Sequence, residues 1–399
     1  MGKYIITGCD LSDRSMMLQW ACDAEAPRKR TFANDESGRA RMMEFLRGRA
    51  KAAGGATIVF AYEAGPHGFG LHDAATDQGI VCHVLAPSKM ARSPKARRTK
   101  TDEKDALAIF ETLRGHLLAG NALPSVWVPD PQTREDREVV RARLDAGAKQ
   151  RRVQTQIRML LKRSETRAPQ GAGKAWSAKH RAWLRGLSAP SSALGPGART
   201  ALGSLLRQLD WLEGECAALD RAVADLARQE RWRAQAEALD AEKGVGLLTA
   251  MIFLTELGDV RRFSNRRQLA SYLGLVPSSD ETGERADCKG HITRHGSPRL
   301  RWALCQAAWT RVRTDPRERA AYERLVAKRP KKKKIAIVAR MRCLGIGLWH
   351  CAVAAAPGTS VAAPLPSPRW GEAPVGAAGA SAEGESPAPP RGERRRRAV

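Results

Sequence analysis

Thr99-Lys100-Thr101-Asp102-Glu103-Lys104-Asp105 runs into Ala106-Leu107-Ala108-Ile109-Phe110, and the reading of this junction decides the fold. The apolar spacing after Asp105 predicts an amphipathic helix. Asp102 and Asp105 stand three apart, so a helix puts both carboxylates on one face. Two like charges held there repel unless a cation lies between them, and hard carboxylate oxygens suit Mg²⁺ or Mn²⁺. Arg98 and Lys100, just upstream, suit a polyanionic substrate. A solvated helix start would use the same residues, because acids favour the first helical turn. The preceding segments separate the two readings.

Upstream, Tyr4 to Cys9 is β-rich and ends in Asp10. Ser15 to Ala21 and Lys29 to Phe32 predict two further strands of an antiparallel meander. Ser37 to Ala52 reads as a helix with Ser37 as its cap and Met42, Met43, Phe45 and Leu46 on its apolar side. Thr57 to Tyr62 is a continuous apolar run, as for a strand buried on both faces, and it ends in Glu63. A Gly/Pro loop and a short helix from Leu71 follow, then another buried strand, Ile80 to Leu85. Asp10 and Glu63 thus each close an apolar strand, where open α/β sheets place their active sites. Asp102 and Asp105 complete a four-carboxylate set. This order, strand-Asp, strand-Glu, helix-Asp-x-x-Asp, is the layout of RNase H-like nucleases, whose carboxylates hold two metals about 4 Å apart for in-line phosphodiester attack.

The 399 residues allow two or three domains, and a formal net charge of +26 calls for a polyanionic partner, nucleic acid first. The 8 cysteines include no Cys-x-x-Cys, which argues against a zinc ribbon or a disulfide framework and for reduced thiols in a cytoplasmic protein. The N-terminal apolar run is too short for a signal peptide. Ile335 to Ala356 is the longest apolar stretch, but Arg340, Arg342 and His350 interrupt it, so a buried helix is expected and no membrane partner.

Gly8-Cys9-Asp10-Leu11-Ser12, Tyr62-Glu63-Ala64-Gly65 and Lys100-Thr101-Asp102-x-x-Asp105-Ala106 resemble the three motifs of the DEDD insertion-sequence transposases. The resemblance extends over roughly residues 4 to 355. It implies an α/β RNase H-like (RuvC-like) N-terminal domain and a C-terminal transposase domain, which the periodicity below completes as a coiled-coil helical middle and a mostly α C-terminal part. It implies Asp10, Glu63, Asp102 and Asp105 as ligands of Mg²⁺ (or Mn²⁺), DNA as substrate and a bridge RNA as guide.

Further along, Pro131 to about Ser164 is charged and helical in character, and Ala189 to Gly197 reads as a linker. Leu202, Leu205, Leu209, Leu212, Cys216, Leu219, Val223 and Leu226 alternate by three and four. That is a coiled-coil seam. It predicts self-association, or alternatively a hairpin with the 131–164 helix; a homo-oligomer is expected. Gly244 and Gly246 open an apolar helix whose N-terminus can face a phosphate. Arg261, Arg262, Arg266 and Arg267 follow. Gln268 to Pro277 resembles the most recognisable block of the family's C-terminal domain. In the loop beyond it the family carries a nucleophilic serine just before Gly283; this chain has Thr282, with Ser278 and Ser279 nearby. Lys289, Arg294, Arg299, Arg301 and the run Lys331, Lys332, Lys333 and Lys334 are further expected nucleic-acid contacts.

The expected domains are 1–130 (RuvC-like), 131–240 (helical coiled coil), 241–355 (C-terminal transposase domain) and 356–399 (disordered Pro/Ala/Gly-rich basic tail). The resulting reading is a transposase that cleaves and exchanges DNA strands with metal assistance and an RNA guide. The alternatives are a water-using endonuclease of Holliday-junction type and a catalytically decayed nucleic-acid binder.

Overall fold

The computed structural model describes residues 3–90, 101–279, 289–328 and 330–356, and the chain divides into two compact units, Met1–Asp130 and Pro131–Val399. In the first, β1 (Tyr4–Leu11), β2 (Ser15–Cys22) and β3 (Arg28–Ala33) form the expected antiparallel meander. Then come α1 (Glu36–Ala52), β4 (Thr57–Glu63), α2 (Gly70–Thr76), β5 (Val81–Leu85) and α3 (Asp102–Ala119). The mixed sheet has the order β3-β2-β1-β4-β5, with β4 parallel to β1 and β5 parallel to β4. Parallel neighbours need crossovers, which α1 and α2 supply.

Side chains alternate across a strand, so each face of the sheet has its own core. Ile5, Cys9, Phe60 and Tyr62 pack with Met42, Met43 and Leu46 of α1. Ile6, Val59, Ala61 and Leu85 pack with Ile109, Phe110 and Leu113 of α3. Each such large side chain, fully buried, contributes about 1.5–3 kcal/mol.

Two local expectations change. The cap of α1 is Asp35 rather than Ser37: its carboxylate accepts the Gly38 N–H at 2.6 Å and the Ser37 hydroxyl at 2.8 Å. Serine and aspartate are near-equal caps, and the helix begins at Glu36, which leaves the capping position to Asp35. The second change is β5, which is an edge strand and not a fully buried one, with Val81 44% exposed. Its far end is covered, since Leu85 bridges Ser125 and the Val126 N–H donates to the Val84 carbonyl at 2.7 Å.

Among its described residues the second unit is helical apart from a two-stranded ribbon. Its elements are α4 (Pro131–Arg163), α5 (Ala178–Leu187), α6 (Pro196–Arg228), α7 (Glu230–Asp240), α8 (Leu247–Leu257) and α9 (Arg266–Tyr272). After β6 (Pro277–Ser279) and β7 (Lys289–Ile292) come α10 (Pro298–Thr314), α11 (Pro316–Lys328) and α12 (Lys333–Ala354). The expected linker is shorter than its composition suggests. Pro196 opens α6, where its missing N–H costs nothing, and Leu194 is buried.

The heptad seam lies inside the chain. Leu202, Leu209 and Leu212 of the seam, with Leu206 in place of the expected Leu205, share a core with Val153, Ile157 and Leu160 of α4 and Leu184 of α5, and Leu205 packs against it only partly buried. Nearer the base, Val223 and Leu226 join Val140 and Leu144 in the core that also holds α8, α10 and α12. Arg137 donates to the Thr255 and Glu256 carbonyls, and the Trp232 indole donates to Asp136 at 2.7 Å. The seam therefore forms a hairpin, the second of the two arrangements its periodicity allows. Leu209 is fully buried, so Leu209→Ala should cost about 2–5 kcal/mol of stability. Chemical denaturation reads that loss. A fall in particle mass by light scattering with unchanged stability would instead place the seam between subunits.

α12 with the preceding turn, Pro330–Ala354, is long and apolar enough to cross a membrane by length and composition. Its Ile337, Met341, Leu344 and Leu348 are nevertheless buried in the protein core, and the Trp349 indole donates to the Val260 carbonyl at 2.8 Å. It is a core helix here. The cysteines among the described residues are free thiols.

Candidate active site

The parallel register of β1 and β4 sets Cys9 opposite Tyr62, so Asp10 and Glu63 are the next residues on neighbouring strands, about 4.8 Å apart along the hydrogen-bonding direction. By alternation Asp10 follows Ile6 and Gly8, and Glu63 follows Val59 and Ala61, onto the face that α3 covers. Both are half-buried.

α3 reaches that face through Gly8. A Cβ on Gly8 would lie 2.3 Å from the Phe110 nitrogen and 2.6 Å from the Ala106 carbonyl oxygen, so only glycine admits the helix backbone. With Ala106 and Phe110 against Gly8 and Leu113 packed among Ile6 and Val59, the helix runs back along β1. Its first turn, carrying Asp102 and Asp105, therefore lies at the end of the sheet that holds Asp10 and Glu63. Thr101 starts the helix there, its hydroxyl accepting the Lys104 N–H at 3.3 Å. Asp105 is 7% exposed and shares the buried face with Ala106 and Ile109, whereas Asp102 is exposed. Glu103 turns away to the sheet edge, 3.2 Å from Lys29.

The four acids thus share one face and one end of the sheet. Among the described residues no three His, Cys, Asp or Glu side chains are gathered into a group that could hold a metal ion. Within that first turn Asp102 is open to solvent and Asp105 is buried. As a donor set the four still fit one chemistry: all are hard carboxylate oxygens, suited to Mg²⁺ or Mn²⁺. Cys9 sits between Gly8 and Asp10 but on the opposite face. Burial, then the neighbouring Asp10 carboxylate, pushes its thiol far above the ordinary range, which keeps it protonated and unreactive.

The basic residues expected to meet nucleic acid divide into two kinds. Arg266, Arg267 and Lys331 to Lys334 are exposed, and so is Arg294, which has a left-handed backbone. Arg261 is exposed beside Asp259 at 3.5 Å, and Arg299 is 3.5 Å from Asp145. Arg262 and Arg301 serve the fold instead. The Arg262 guanidinium lies over Phe263 (4.2 Å) and Tyr272 (4.4 Å) and donates to the Leu257 carbonyl. Arg301 donates to the Gly296 and Leu273 carbonyls. Burial lowers the pKa of both groups. Exposed cations and carbonyl-bound ones are alike in sequence, so periodicity and charge alone cannot divide them.

Gly246 caps α8 without any side-chain hydrogen bond, and Gly244 has φ +80° where the loop rests on Arg311. Ser278 and Ser279 belong to β6, not to a flexible loop, and the Ser278 hydroxyl donates to the His291 carbonyl at 3.0 Å. Lys289 opens β7. Arg98, Lys100 and Thr282, like the tail from 357 onward, lie outside the described residues. The sequence alone assigns no role to Gly8 as a packing contact or to Thr101 as a cap. An isolated glycine inside an apolar strand, the usual mark of a close backbone approach, is the available signal for the first.

Residues 8–165 match a family model described as transposase (the DEDD type of IS110), and residues 236–323 match one described as transposase IS116/IS110/IS902 family. The chain is 34% identical over 253 residues to "Putative transposase y4qE" of Sinorhizobium fredii, covering 63% of this chain and 58% of that relative. It is 30% identical over 340 residues to the y4rJ protein of the same organism and same description, covering 79% of this chain and 83% of the relative. It is 25% identical over 256 residues to the transposase for insertion sequence element IS1533 of Leptospira borgpetersenii, covering 63% and 70%.

Proposed function

The chain belongs to the IS110 family of transposases, and from that premise we propose that it is the DNA recombinase of an insertion sequence, with an RNase H-like first domain (1–130), a helical middle (131–240) and a C-terminal transposase domain (241–355). The observation that carries the proposal is the contact of α3 with Gly8, which brings Asp102 and Asp105 to the sheet end of Asp10 and Glu63. These four would hold Mg²⁺ or Mn²⁺. When bound, the metal supplies Lewis-acid stabilisation of charge developing on the phosphate oxygens. The chain's own part is positioning. Asp10 and Glu63 are fixed by strand register, and Asp105 by the buried face of α3. The exposed cations Arg261, Arg266, Arg267 and Lys331 to Lys334 hold the DNA backbone, helped by the open N-terminus of α8 at Gly244 and Gly246. In this reading a guide RNA selects the sites and a homo-oligomer assembles on the DNA.

The attacking group is the Thr282 hydroxyl. Its oxygen bonds to phosphorus, its proton leaves to solvent, and the strand oxygen departs with the opposite DNA end, leaving the protein covalently attached. The family's residue at this position is an unbranched serine, and the β-branch of threonine restricts χ1 and crowds the oxygen. Thr282→Ser should raise strand transfer, and Thr282→Ala should remove the protein–DNA adduct. The measurement is a denaturing gel after incubation with element ends, flanking RNA and Mg²⁺. Cleavage without an adduct in every variant would identify water as nucleophile and favour the resolvase-type reading. No metal-dependent cleavage in any variant would leave a binding protein.

The charged surface has its own test. Neutralising Lys331 to Lys334 should flatten the dependence of log affinity on log salt by up to about 0.9 for each duplex phosphate that the lysines no longer neutralise. An unchanged slope would assign the run to solvent.

A further inference from the structure

The hairpin of α4 and α6 carries a groove of about 560 Å³ that the recombinase reading does not use. Lys149 and Arg152 of α4 line it with Arg207 and Trp211 of α6, over a floor formed by Val153 and Leu212. No carboxylate lines it. The acids nearest Trp211 in sequence are held by other arginines: Asp210 is 3.1 Å from Arg185 and 3.5 Å from Arg181, and Glu213 also pairs with Arg181. Trp211 is 65% exposed, the most open of the large apolar side chains among the described residues. Trp302 is also part-exposed, but Arg151 stacks over it at 5.1 Å; among the described residues no ring or cation stacks on Trp211.

A flat indole open to solvent, rimmed by three cations and no acid, has a specific complement. An apolar helix would satisfy the indole and the floor but leave Lys149, Arg152 and Arg207 against a neutral surface. A duplex would satisfy the cations but offers no free base face, because its bases are stacked on both sides. A single strand supplies both, a base for the ring and phosphates for the cations. We propose that this groove binds single-stranded DNA, with one base stacked on Trp211 and the flanking phosphates on Lys149, Arg152 and Arg207. The proposal rests on the recombinase reading only for the source of the strand, which strand exchange frees from a duplex. The groove holds the separated strand away from re-pairing while the partner strand is joined.

The test uses the full-length protein and a fluorescein-labelled 20-nucleotide dT strand, read by anisotropy, with a labelled 20-base-pair duplex alongside. Trp211→Ala should weaken dT binding by about 5- to 150-fold, the loss of one base–aromatic stack, and leave duplex binding unchanged. Trp211→Phe should recover most of the affinity, since it keeps a ring. Lys149→Ala with Arg152→Ala should lower the single-strand salt slope by about 0.7 for each phosphate that is no longer neutralised. Unchanged dT affinity in Trp211→Ala overturns the proposal, as does an equal loss on the duplex. A drop in particle mass by light scattering would overturn it too, by showing that the groove seats a second copy. Tighter, Trp211-dependent binding of a 20-nucleotide U strand would overturn the assignment to DNA in favour of RNA. Mg²⁺-dependent cleavage in the same preparations reports separately on the recombinase reading.

Discussion

Asp10→Asn is expected to lower Mg²⁺-dependent strand cleavage by more than about 100-fold while leaving folding and DNA binding nearly intact. Loss of a residue that merely orients a metal ligand typically costs 10–100-fold, so loss of a ligand should cost more. The amide keeps the size and shape of the side chain but removes the charge that a hard cation requires. Asp10 is half-buried at a strand end and shares its face with other acids, so removing one negative charge there relieves repulsion. Stability should therefore be unchanged or slightly raised, which separates this variant from a folding mutant. Asp102→Asn should behave in the same way, although Asp102 is exposed and Asp105 is not. Wild-type cleavage in EDTA, or full cleavage in both variants, would remove the carboxylates from the mechanism.

Gly8→Ala should destabilise the protein by about 1–3 kcal/mol, the usual cost of forcing one carbon into a packed contact. The added methyl would meet backbone atoms, the Phe110 nitrogen at 2.3 Å and the Ala106 carbonyl oxygen at 2.6 Å, and backbone cannot rotate aside as a side-chain end does. α3 must then lift or slide, taking Asp105 and Asp102 with it. Cleavage should fall by more than the loss of folded protein explains. Gly214→Ala is the control. Gly214 lies within α6 with nothing within 4 Å of its would-be Cβ, so alanine there should stabilise by about 0.4–1 kcal/mol. Equal urea midpoints for Gly8→Ala and the wild type would show that α3 does not rest on β1 as described.

In Met1–Asp130 the strands, their order of acids and the crossover helices follow from local patterning. Apolar runs predict β1, β4 and β5, and each carries its register with it, because alternation fixes which residues face which side. Asp10 and Glu63 need only the observation that both end an apolar strand. Asp102 and Asp105 need only helix periodicity. In the second unit the same logic locates α4, α6 and α8, down to Leu257 as the last residue of α8.

What the amino-acid pattern alone determined is therefore the set of elements, the carboxylates at their ends and the heptad seam of α6. Tertiary structure decided which surface each periodic face meets. A heptad stripe is equally satisfied by a partner subunit or by α4 and α5, and only packing shows that Leu202, Leu209 and Leu212 are buried within this chain. The arginines behave likewise. Arg262 over Phe263 and Arg266 in solvent are four residues apart and chemically identical, yet one is held by rings and a carbonyl and the other is exposed, able to reach a phosphate. A guanidinium can do either, and its choice depends on neighbours distant in sequence. Trp211 is the same case reversed: a tryptophan on a helix is by default a core residue, and only the packed hairpin leaves this one facing water beside three cations. Local sequence specifies periodicity and end chemistry because those depend on near neighbours; burial and pairing depend on residues far along the chain, and these only the folded structure brings together.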